Sequence, residues 1–307
     1  MKSRTFRICL SLLSSFVLLF QGFVQSSAQT KKSSQGDRKS SHLRMGMSPD
    51  ELAMLERAMT VVCLERQTDP KASSPIDDMQ ARPSLPVQSP EAVAGAERAQ
   101  RLLPIARELV LSSLQQLAKQ YQFPTTKGHT RQLQAAMARV RSVHKIKPDM
   151  DSRDNASVLL RQPHTITFGT IFLAGLPSDE GMISVLAHEL AHIADGDTDN
   201  LRALFRNIGN RASILTALSI HGQRAEELTC DLIGALAVRD FVASSPSYEP
   251  IARRIARSVE HNCVDEDEGD EDHLSPRNTI RDLLALNPSL TRELVYDREE
   301  KPATKRN

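Results

Sequence analysis

Leu186-Ala187-His188-Glu189-Leu190-Ala191-His192 is the stretch on which the reading of the whole chain turns. It holds the pattern H-E-x-x-H. Residues four apart on an α-helix lie about 40° apart around its axis, so both imidazoles face one point in space. Two neutral imidazoles suit Zn²⁺, and Glu189 then falls beside the ion as a base for water. The flanks agree with a helix. Pro177-Ser178-Asp179 opens it with Ser178 as cap, and Gly196 ends it. Ile183, Leu186, Ala187, Leu190, Ala191 and Ala194 form its apolar face.

Catalytic zinc takes three protein ligands and leaves one position open. A metzincin would carry Gly at 195 and His or Asp at 198; Asp195 and Thr198 stand there instead. Asp195 is expected to cap the helix end in solvent. A carboxylate on a later helix is the remaining source. Gln223-Arg224-Ala225-Glu226-Glu227-Leu228-Thr229-Cys230-Asp231 supplies it, with Glu227 and Asp231 on one face. Glu227 is the expected third ligand. Asp231 is expected to hold the free N–H of a ligating imidazole. Glu226 is rotated by about 100° from that face and is the lesser candidate.

These two motifs together resemble the gluzincin endopeptidases related to the CAAX prenyl endopeptidase and the HtpX heat-shock protease. The resemblance runs from about residue 130 to 285. Ile166 to Phe172 followed by Gly175-Leu176 is similar to the family's strand before the active-site helix. His273-Leu274-Ser275-Pro276 with Arg281 resembles its late His-Pro…Arg segment, with Leu274 where Pro is usual. Cys230 stands where Ala is usual before Asp231. The resemblance implies an α+β fold: a mostly helical zincin-like domain with a small sheet whose edge strand flanks the active-site helix. It implies one Zn²⁺ per chain, held by His188, His192 and Glu227. Glu189 would be the catalytic base, and a protein or peptide substrate would lie extended along strand 165–172. His273, Arg281 and His221 are the candidates for stabilising the transition state or gating the site. His129, His144, His164 and His261 fit no partner pattern and are read as non-catalytic. A second function class stays open: a zinc-stabilised chaperone-like or binding protein with a closed or vestigial site.

Outward from the motifs, Thr165 to Leu173 is β-branched and aromatic and predicts a strand, with Gly169 marking a bulge or close approach. Residues 143–160 can add one or two strands. Further helices are expected near 200–207, 211–220, 223–241, 248–262 and 277–287. Ser48-Pro49-Asp50-Glu51 opens an earlier helix as a capping box. Pro70, Pro75, Pro83, Pro86 and Pro90 then mark a linker or surface loop. The expected division is a signal peptide over 1–28, a flexible leader with one helix and a Pro-rich linker over 29–93, a metallopeptidase domain over 94–290, and a tail over 291–307.

Lys2, Arg4 and Arg7 precede the apolar run from Ile8 to Phe20, and Ser26-Ser27-Ala28 supplies small residues before Gln29. That is the pattern of an export signal. The expected location is periplasmic or secreted, with an uncleaved N-terminal anchor as the alternative. Ile214 to Ile220 is too short to cross a bilayer. The 307 residues carry 39 basic and 38 acidic side chains, with no basic excess for nucleic acid. Aromatics are 4 % and Trp is absent, which argues against stacking platforms for bases. Cys63, Cys230 and Cys263 follow the signal, and Cys63 with Cys263 is the pairing considered. The acidic run Asp265 to Asp272 fails the EF-hand pattern and reads as a solvated loop.

Overall fold

A computed structural model describes residues 46–62, 82–123, 126–159, 161–176, 178–244 and 269–299. The signal segment, Cys63, Cys263, His261, the expected helix at 248–262 and residues 265–268 of the acidic run lie outside these residues.

The chain is mostly helical with a small three-stranded mixed sheet. In order it runs α1 (Pro49–Val62), α2 (Pro90–Gln120), α3 (Lys127–Ser142), β1 (Lys145–Asp149), β2 (Ala156–Val158), β3 (Thr165–Gly169) and α4 (Thr170–Gly175). It continues with α5 (Asp179–Asp195), α6 (Arg202–Thr216), α7 (Gln223–Ala243), α8 (Pro276–Leu286) and α9 (Pro288–Glu299).

Helix α5 is the axis of the molecule. Every residue from Glu180 to Asp195 is buried, as expected of a helix covered on all sides. It packs against α7, α2, α3 and β2. Ser178 caps its start, accepting from Gly181 N at 3.1 Å. Its last carbonyls, which no helical amide can reach, converge on one side chain. Arg139 of α3 donates to the carbonyls of Ile193 (3.1 Å), Ala194 (2.6 Å), Asp195 (3.0 Å), Thr198 (3.0 Å) and Asp199 (3.2 Å). The helix that carries the histidines is therefore tied at both ends.

The strand before α5 is shorter than its sequence suggests. It ends at Gly169, and residues 170–175 turn into α4. Thr170, Ile171, Phe172 and Leu173 are all buried there, and α4 packs on α2. Short apolar runs satisfy a buried strand and a buried helix equally well, so tertiary burial decided. Gly169 is the site of close approach: a Cβ there would sit 2.0 Å from the Arg153 carbonyl oxygen.

Strand β3 is also central rather than an edge. It pairs in parallel with β1, Lys145 opposite Thr165, and antiparallel with β2, Ala156 opposite Phe168. Both its edges are occupied, so no substrate strand can add to residues 165–169. The outer strand beside α5 is β2.

The expected break between helices at 200–207 and 211–220 is absent, because α6 runs unbroken from Arg202 to Thr216. Gly209 lets α6 approach α7; a Cβ at that position would lie 2.5 Å from Cβ of Ala225. Helix α2 starts at Pro90, capped by Ser89. Residues 288–299 form α9, packed on α1, with Leu290, Thr291, Leu294 and Val295 buried. Leu55, Ala58 and Met59 of α1 join the same core. Both segments expected to lie outside the domain thus close one side of it, since each has an apolar stripe to bury. Among the described residues, no helix is long and apolar enough to cross a membrane.

Asp282 of α8 is fully buried. Burial pushes its carboxyl up to about 7, and the Thr216 hydroxyl and Arg281 offset only part of that. A carboxyl raised in the folded state binds its proton more tightly there than in the unfolded chain. Its contribution is most favourable below its ordinary value near 3.8, is lost as pH rises toward about 7, and is level above that. Urea unfolding at successive pH values should show that loss, amounting to a few kcal/mol. Asp282→Asn should abolish it.

Candidate metal centre

The centre lies between α5 and α7. His188 and His192 come from successive turns of α5, and Glu227 comes from α7. Nε2 of His188 and Nε2 of His192 are 3.1 Å apart. Oε2 of Glu227 lies 3.4 Å from the first and 3.5 Å from the second. All three side chains are buried. Together they form a group that can hold a metal ion.

The outer atoms show what the inner ones carry. Nδ1 of His188 donates to Oδ1 of Asp231 at 2.9 Å. Nδ1 of His192 donates to Oε1 of Glu226 at 3.2 Å. Oε1 of Glu227 accepts from Nε2 of Gln223 at 3.1 Å, while Oε2 has no hydrogen-bond partner. In the neutral imidazoles, with the protons on Nδ1, each Nε2 presents a lone pair. Two lone pairs and a carboxylate oxygen then face one another in a dry core. Such a cluster needs positive charge at its middle.

The titration of the bare side chains says the same. Burial opposes charge on His188, yet the hydrogen bond to Asp231 and the nearby Glu227 carboxylate win and push its pKa up to about 9. Burial opposes charge on His192 as well, yet its pKa is raised well above the ordinary value, the Glu227 and Glu226 carboxylates favouring the charged ring. Burial pushes Glu227 up, but the two imidazoles pull it well below the usual carboxylate range.

The spacing also fits a tetrahedral ion. Zinc–nitrogen and zinc–oxygen bonds near 2.05 Å give ligand–ligand edges of ~3.3–3.4 Å. The observed edges of 3.1, 3.4 and 3.5 Å surround that value.

Glu189 follows His188 on the helix and is fully buried, with both carboxylate oxygens lacking a hydrogen-bond partner. Burial raises its pKa, while His188 and His192 pull it down. Its carboxylate is thus coupled electrostatically to the cluster without being hydrogen-bonded to it.

Of the remaining candidates, only His273 arrives. It is buried, and its Nε2, which has no hydrogen-bond partner, lies 3.8 Å from Oε2 of Glu227. Arg281 instead donates to Glu56 of α1 at 3.0 Å. A long side chain from α8 found its partner on a helix that the sequence had set apart from the domain. His221 is exposed on the loop before α7. Asp195 is not in solvent; it is buried and accepts from Leu201 N at 2.8 Å. Burial and the neighbouring Glu226 push its pKa up to about 6. His144 and His164 stack on each other at the surface, anchored on Ser142.

Two residues make contacts that the sequence did not assign to them. Glu226 sits off the ligand face, but that is the face that meets His192. The Cys230 thiol is buried and lies against His192, and burial pushes its pKa up. Both could have been sought from spacing, since Glu226, Glu227, Cys230 and Asp231 occupy two adjacent turns of one helix.

The chain matches no known family model, no curated protein and no solved structure. The geometry therefore carries the site by itself.

Asp231→Asn keeps the shape and removes the charge that faces His188. It should weaken Zn²⁺ binding by about 10- to 100-fold in a chelator competition titration. Asp240→Asn, on the same helix and hydrogen-bonded to Arg239, should leave it unchanged.

Proposed function

We propose that the chain is an exported zinc-dependent endopeptidase acting on unfolded or misassembled proteins of the cell envelope. One observation carries this reading: three inward-facing acceptor atoms, spaced for a tetrahedral ion, stand beside a buried carboxylate with no protein partner. A structural ion needs four closed ligands, whereas this group supplies three. The resemblance to gluzincins rests on the same residues.

His188, His192 and Glu227 would hold the ion. When bound, Zn²⁺ supplies Lewis acidity toward water and toward a peptide carbonyl. Glu189 takes a proton from the attacking water and delivers it to the leaving amine. Asp231 and Glu226 keep both histidines in the tautomer that turns Nε2 inward. His273 presents its Nε2 toward the reacting peptide. An extended substrate would pair with the outer edge of β2, beside α5, since β3 has no free edge. That mode reads main chain rather than side chains and favours unfolded segments.

The burial of all three ligands favours a second reading, a closed site. A fourth ligand would close it and leave a zinc-stabilised chaperone-like or binding protein.

Glu189→Gln separates the two. The peptidase reading expects zinc content to stay at one per chain while casein cleavage falls by at least about 10²-fold. Holdase activity that survives in a wild-type protein unable to cleave casein would favour the second.

A further inference from the structure

Residues 269–275 bring His273 to the metal centre, and their anchoring is specific. Gly269 and Leu274 form an isolated bridge. Between them, Oδ1 of Asp270 accepts from the backbone amides of Asp272 (2.8 Å) and His273 (2.6 Å). The same oxygen accepts from Nδ1 of His273 at 3.3 Å. The Asp270 carbonyl in turn takes two N–H groups of Arg224, the Nε one at 2.9 Å. Arg224 stands on α7 one turn ahead of Glu227. The ligand helix thus holds the loop, the loop's carboxylate holds Nδ1, and Nε2 of His273 is left free and buried, facing Glu227.

We infer that Asp270 and Arg224 are positioning residues for His273. Asp270 fixes the proton on Nδ1, so that Nε2 is the nitrogen offered to the site. Arg224 fixes the loop's register against the helix that supplies Glu227. Asp270 is as exposed as its neighbours Glu271 and Asp272, but only its carboxylate engages the loop's amides and the His273 ring. The inference rests on reading the centre as hydrolytic, but the placement of the proton does not.

The test uses the full zinc-loaded chain and Asp270→Asn, which can keep both backbone amide bonds while losing the charge. Nitrogen-15 NMR of the histidine rings at about pH 8, where an ordinary imidazole is neutral, reports the tautomer. His273 should be the Nδ1–H form in the wild type, and the Nε2–H form should gain population in the variant. Against casein, Asp270→Asn should lower kcat about tenfold with KM nearly unchanged. In a His273→Ala background it should cost nothing further, because its effect passes through that ring. Asp272→Asn should change neither readout. An unaltered His273 tautomer, a loss that persists without His273, or an equal effect from Asp272→Asn would overturn the inference. If the zinc-loaded wild type cleaves nothing, the peptidase reading fails, and the tautomer measurement alone decides the role of Asp270.

Discussion

The arrangement depends on where two protons are kept. Asp231 and Glu226 hold the Nδ1 hydrogens of His188 and His192 on the outer side of the rings. The inner nitrogens then meet each other and Glu227 at distances a cation can bridge. Moving either proton inward would turn an acceptor into a donor and remove one ligand. The carboxylates behind the rings therefore matter as much as the atoms that face the ion.

The fold serves this arrangement by keeping its two helices rigid and dry. Burying two imidazoles and several carboxylates is costly unless their charges are matched. Packing around α5 excludes water, Ser178 and Arg139 hold its two ends, and Gln223 fixes the outer oxygen of Glu227. Helices α1 and α9 seal another side of the same core. Metal binding at this cluster would couple the stability of the core to the ion.

The centre was legible in the sequence to the extent that helical spacing determines it. His188, Glu189 and His192 are neighbours on one helix by arithmetic alone, and Glu227 with Asp231 by the same rule. What spacing cannot give is which face of one helix meets which face of another. Glu226 looked misaligned with Glu227, yet it meets His192, which lies a turn further along α5. Arg281 had a plausible place in a family pattern, but Glu56 drew it to α1. Residues 170–173 look like a strand because burial in a short helix selects the same side chains. Nor can spacing show that apolar stripes on α1 and α9 find each other across most of the chain length.

Zinc K-edge X-ray absorption of the zinc-loaded chain tests the central claim most directly. The account predicts a single low-Z shell of nitrogen and oxygen at about 2.0–2.1 Å, with the outer-shell signature of two imidazoles. A sulfur scatterer near 2.3 Å would place Cys230 on the ion and contradict an open site, and failure to retain stoichiometric zinc would contradict the centre itself.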